Sequence, residues 1–92
     1  MARYLSSHTL ACLTRQGAEQ LVTRLMSAKT VTVRRVQVNM MAGKMIVEFE
    51  TPDREALEAW FTCENFHYDW LMRVELESQD GKLVPVPPAK PS

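Results

Sequence analysis

Cysteine is scarce in this chain, with only Cys12 and Cys63 among 92 residues. That is too few for a disulfide framework, and the two do not form a Cys-x-x-Cys pair. An excess of either charge is missing as well. Eleven lysines and arginines balance eleven aspartates and glutamates, so the formal net charge is zero. Surfaces that track phosphates show a basic excess, so nucleic acid is not an expected partner. No apolar run approaches the roughly 20 residues of a membrane span. The opening Met-Ala-Arg-Tyr-Leu-Ser-Ser-His also lacks an uninterrupted apolar core of signal-peptide length. These absences set the expectation of a cytoplasmic protein with reduced thiols and no membrane association. Zero net charge also removes the self-repulsion that keeps small proteins apart. A chain of this length builds one modest core, so a homodimer or higher oligomer is expected.

What is present is alternation. From Arg34 to Glu50, Val36, Val38 and Met40 alternate with Gln37, Asn39 and Met41. After Ala42-Gly43, Met45, Val47 and Phe49 alternate with Ile46, Glu48 and Glu50. Two period-two runs around a glycine turn predict a β-hairpin with one apolar face. Val31 and Val33 are out of phase with Val36 and Val38, which predicts a bulge or break around Arg34-Arg35. Before the hairpin, Thr14 reads as the N-cap of a helix running to about Ala28. Its apolar stripe is Ala18, Leu21, Val22, Leu25 and Met26. After it, Thr51-Pro52-Asp53 opens a second helix, with Pro52 at the first helical position and Leu57, Trp60 and Phe61 on the buried side. Asn65 or its neighbours close it.

An outer strand is expected beyond each helix. Ala2 to Leu10 is the first, with Tyr4, Ser6 and His8 on one face and Arg3, Leu5 and Ser7 on the other; the pattern does not say which face is buried. The last main strand has Trp70, Met72, Val74 and Leu76 alternating with Leu71, Arg73, Glu75 and Glu77. Asp80-Gly81 is a turn signal, and Lys82 to Val86 reads as a short extra edge strand. One domain over residues 1–84 and a proline-rich extended tail over 85–92 are expected. The order βαββαβ predicts an α+β, ferredoxin-like fold, an antiparallel sheet with both helices on one face. The other face is then open and carries Gln37, Asn39, Ile46, Glu48, Glu50, Leu71, Arg73 and Glu75.

Two segments carry a family resemblance. Arg-Tyr-Leu-Ser-Ser-His-Thr near the start, and Gly-Lys-Met-Ile-Val-Glu-Phe-Glu-Thr-Pro-Asp-Arg-Glu-Ala across the third strand and second helix, resemble the small nickel-binding ferredoxin-like proteins. Length, element order and the proline-containing tail are similar, more distantly, to the muconolactone isomerase-like group. Both belong to the dimeric α/β-barrel superfamily, and the similarity runs from about Arg3 to Glu77. It implies a homodimer whose open sheets face each other. The histidine expected on the second strand of the nickel-binding group is absent, with Arg34, Arg35 and Gln37 in that region.

Several side chains suit chemistry. If its face is the open one, His8 lies near Glu48 or Glu50. Imidazole with carboxylate makes a general base, or two ligands of nickel or zinc. The plain alternative is a histidine bonded to backbone or water. Glu48, Glu50 and Glu75 would line a polar cavity in which Arg73 holds an anion, or would form a solvated face of cross-strand pairs. His67 and Tyr68, with Phe66 and Trp70, would frame an aromatic pocket or plug the core. Cys12 with His8 is a further metal pairing, although both cysteines read more simply as small buried residues. Met40 and Met45 continue the core alternation. Ile46, Glu48 and Glu50 occupy the strand positions where an RNA-binding sheet needs aromatic rings.

The expectation is therefore a homo-oligomeric protein binding a metal ion (nickel or zinc) or a small molecule at its open sheet face. His8 and Glu48 are the metal candidates, and Glu48, Glu50, Glu75, His67 and Tyr68 the ligand candidates. The alternatives are an isomerase or small monooxygenase using His8 as acid/base and Arg73 to position an anionic substrate, or a protein-interaction module.

Overall fold

The central hairpin forms as its alternation dictates. In the computed structural model, which describes residues 1–10 and 13–86, strand β2 (Thr32–Asn39) pairs antiparallel with β3 (Lys44–Thr51). Gly43 takes a φ of 66° in the turn, a region that penalises any side chain. Asn39 Oδ1 accepts from the Ala42 amide at 2.9 Å and closes the loop. The register shifts between Val33 and Arg35, which makes Arg34 the extra residue of a bulge. The shift lets Val33, opposite Phe49, and Val36, opposite Val47, both face the core. Met45, Val47 and Phe49 are fully buried, each contributing about 1.5–3 kcal/mol by leaving water.

Helix α1 (Arg15–Met26) is capped by Thr14, whose hydroxyl accepts from the Gly17 amide at 3.1 Å. Ala18 and Leu25 are buried and Leu21 packs against the core, whereas Met26, at the end of the expected stripe, is exposed. Helix α2 (Arg54–Cys63) starts later than expected. Asp53 is its N-cap, accepting from the Ala56 amide at 2.7 Å, and Pro52 lies outside the helix. At the other end Asn65 takes a left-handed φ of 53°. The Phe66 amide then donates to the Phe61 carbonyl at 2.8 Å, and the Asn65 amide to that of Thr62 at 3.1 Å. That double bond is a Schellman closure, and its usual apolar contact is present between Phe66 and Phe61. Leu57, Trp60 and Phe61 are buried against β3 as the helical spacing requires.

The expected βαββαβ ferredoxin-like arrangement is corrected by what the rest of the chain does. Among the described residues there are two helices and six strands in two sheets. Strands β1 (Ala2–Thr9), β2, β3 and β4 (Trp70–Arg73) form an antiparallel sheet in the order β2-β3-β1-β4. Strands β5 (Leu76–Gln79) and β6 (Lys82–Pro85) pair only with each other. The last main strand, expected in one piece from Trp70 to Glu77, therefore stops at Arg73. Beyond it, Asp80 and Gly81 fold β5 back onto β6, with consecutive φ values of 53° and 79°. That is the two-residue turn whose twist matches a hairpin, and closing it locally costs little chain entropy. Pro85, expected at the start of the tail, pairs opposite Leu76, and the Val86 amide donates to the Glu75 carbonyl at 2.9 Å. The remainder of that expected tail, and Cys12, lie outside the described residues.

Pairing also inverts the expected phase of β4. Residues opposite each other in an antiparallel ladder share a face. Trp70 lies opposite Ser7 and Met72 opposite Leu5, which places them on the open side. Leu71 and Arg73, expected there, lie opposite Ser6 and Tyr4 and share the helix side. No helix among the described residues is long and apolar enough to cross a membrane.

Candidate functional site

His8 belongs to the core. It pairs opposite the fully buried Met45 and is 1% exposed. Its Nδ1 lies 2.7 Å from the His67 carbonyl oxygen, which can only accept, so Nδ1 carries the proton. Nε2 is then free to accept from the Ser6 hydroxyl at 2.6 Å, and Ser6 is itself fully buried. The ring stacks on Phe66 at 4.4 Å and 16°. Burial pushes the His8 pKa below its ordinary value, opposed by the His67 carbonyl and the Asp69 charge. The result is a neutral histidine with both nitrogens occupied, which ties β1 to the α2–β4 loop.

Glu48 and Glu50 lie on the other face, opposite Leu5 and Arg3 of β1. The sheet thus separates His8 from Glu48, and the proposed metal pair is not assembled. No cluster of three or more histidine, cysteine, aspartate and glutamate side chains able to hold a metal occurs among the described residues. The other predicted residues also scatter. Arg73 is exposed on the helix side of β4, and Glu75 is exposed between β4 and β5. His67 and Tyr68 border a depression of about 340 Å³ beside α2. Tyr68 donates to Glu58 there at 3.2 Å, and its ring packs on Phe61 at 5.1 Å. Phe66 and Tyr68 both pack against the core cluster, so the aromatic group serves as a plug.

What the open face does assemble is a charged cluster beneath the second hairpin. Arg3 sits between Glu48, with Nε 3.4 Å from its carboxylate, and Glu77 of β5, which it meets through Nη1. The side chains of Arg3 and Glu48 are each only 14% exposed, because β5 reaches over them. Arg3 Nε is buried without a hydrogen bond, so its link to Glu48 is purely electrostatic. Arg34, thrown out by the bulge, pairs with Glu50 at 2.8 Å. Arg35 lies opposite Glu48 in register, yet its side chain has no hydrogen bond or ion pair among the described residues.

A cavity of about 250 Å³ opens between this face and the hairpin. Leu5, Ile46 and Val74 supply its apolar wall, and Arg35, Gln37, Glu48 and Glu77 its polar one. Glu48 and Glu77 are engaged by Arg3, whereas Arg35 presents free donors. Such a wall suits a compact molecule with an apolar body and an acceptor group. Glu48, Ile46 and Gln37 were legible as open-face residues. The sequence signals Arg35 only through the phase change at Arg34-Arg35, which displaces one arginine from the ladder and keeps the other in it; nothing in the pattern marks Leu5. No family model matches this chain, and neither a curated protein nor a solved structure matches it.

Proposed function

We propose that this protein binds a small carboxylate-bearing molecule in the cavity between the open sheet face and the β5–β6 hairpin. The observation that carries the reading is Arg35, an arginine lining the cavity with no carboxylate partner among the described residues, beside a cluster in which Arg3 and Arg34 are paired. A ligand carboxylate would accept from its fork while the ligand body packs on Leu5, Ile46 and Val74. A charge-assisted hydrogen bond contributes about 1.5–3 kcal/mol, or roughly tenfold to a hundredfold in affinity. Calorimetric titration with a panel of small carboxylates, benzoate and succinate among them, tests this. The expected result is one-to-one binding by at least one acid that weakens at least tenfold in Arg35→Gln. No binding across the panel, or binding indifferent to Arg35→Gln, defeats it.

A second copy of the chain is the partner this face supports. Trp70 and Met72 lie on it, 45% and 50% exposed. The charges still accessible there set Arg34 and Arg35 against Glu50 and Glu77. Two such faces related by a twofold axis meet without net like charge. Sedimentation velocity should show a dimer that Trp70→Asp converts to monomer. A wild-type monomer at tens of micromolar would exclude this association.

A further inference from the structure

On the opposite side of the sheet, the end of α1 and the length of α2 border a groove of about 540 Å³, larger than the open-face cavity. Its floor is apolar. Ala56, Ala59 and Cys63 recur at three- and four-residue spacing on one side of α2, with Trp60 beneath them and Ala28 across from them. A larger side chain at the alanine positions would close the space between the helices; alanine leaves it open.

The charges at its rim are unequal in availability. Arg24 is occupied, with Nε 3.2 Å from the Glu64 carboxylate and Nη2 donating to the Glu64 carbonyl at 2.5 Å. That pair bridges the C-terminal ends of the two helices. Ser27 is spent on the Arg24 carbonyl at 2.8 Å. The side chains of Lys29 and Thr30, which also line the groove, have no hydrogen bond or ion pair among the described residues. The groove therefore joins an apolar floor to Lys29 and Thr30, a cation and a hydroxyl side chain that both line it.

We infer that this groove binds a free medium-chain alkyl carboxylate, its chain along Ala56, Ala59 and Trp60 and its head at Lys29 and Thr30. The volume lies within the ~300–1,000 Å³ of ordinary ligand sites. Charge complementarity selects the head group, because Lys29 is the available charge and an alkyl cation would meet it unfavourably. This site is independent of the open-face cavity, from which the sheet separates it.

The test uses the full chain carrying Trp70→Phe, so that Trp60 alone reports by fluorescence, titrated with decanoate below its micelle concentration. Saturable one-to-one binding is expected, weakened at least tenfold in Lys29→Glu, abolished in Ala59→Phe and absent with decyltrimethylammonium. Ala59 is exposed, so filling the groove there spares the core. Lys29→Glu lies on the surface and supplies a second arm that does not depend on Ala59→Phe folding. No decanoate binding, binding unchanged in Lys29→Glu, equal binding of the alkyl cation, or binding only to phosphatidylglycerol vesicles would each overturn the assignment. The arginine variant Arg35→Gln should leave decanoate binding unchanged, which separates failure here from failure at the open face.

Discussion

The described residues make two β-hairpins, and the same local device produces both. Each turns on a glycine with positive φ, Gly43 at 66° and Gly81 at 79°. Their fates differ completely. Strand β3 of the first hairpin runs through the core, with Met45, Val47 and Phe49 fully buried. In the second, every residue of β5 and β6 is exposed, Leu83 at 68% among them. Turn chemistry suffices to make a hairpin. Only burial makes one structural, because an isolated two-stranded ribbon is marginally stable in water.

Substitutions should separate the two regions sharply. Phe49→Ala removes the ring that meets both Trp60 and Phe61 edge-on, and urea denaturation should show a loss of about 3–5 kcal/mol. Unfolding of unchanged free energy would mean that the core does not depend on β3.

Mild acid should act on the buried sheet through His8, which lies opposite Met45 of the first hairpin. His8 has a depressed pKa in the fold, so the unfolded chain takes up a proton first as pH falls. Its contribution is therefore complete above the ordinary value of 6.5 and is lost as pH drops from there through the folded value. The slope from this one group is at most ~1.4 kcal/mol per pH unit. Urea melts at successive pH values should show the decline, and His8→Gln should flatten it within that window. A stability that rises on acidification through the same range would reverse the assignment.

The two turns allow a direct comparison. A Cβ on Gly43 would lie 3.4 Å from the Leu10 carbonyl, whereas one on Gly81 would meet nothing within 4 Å among the described residues. Both positions strain alanine through φ, by about 1 kcal/mol. Gly43→Ala should lower global stability by about that amount. Gly81→Ala should leave the global transition in place and accelerate hydrogen exchange at the Val86 amide, which bonds to Glu75. Equal effects on the melting curve would show that the second hairpin unfolds with the core. The smallest change is expected for Leu83→Ser, within about 0.5 kcal/mol of wild type; a large loss would reveal a covering for that strand.

Much of the fold was legible, for reasons that differ by element. The bulge at Arg34 could be read because a strand cannot put both Val33 and Val36 on one face without an extra residue. Thr14 as a helix cap, and Asn65 at a helix end, follow from side-chain chemistry acting within a few residues. Strand β4 was misread because apolar residues occur on both of its faces. Trp70 and Met72 look like a core stripe, yet Leu71 packs against the core cluster. The charged cavity was half legible. Glu48 lies on the open face as its alternation indicates, but Arg73, expected beside it, lies on the helix side, and Arg35 lines the cavity instead.

The sequence by itself determined the local events: the turn at Gly43, the bulge, the helix stripes and the turn at Asp80-Gly81. These depend on backbone preferences and periodicity within a few residues, which the chain carries wherever it goes. The tertiary structure decided the face of His8 and the course of the chain after Arg73. Strand β1 is polar and apolar on both sides, so only the pairing with β3 and the docking of Phe66 could turn His8 inward. Once there, Ser6 and the His67 carbonyl satisfy its nitrogens, and a side chain suited to catalysis becomes part of the core.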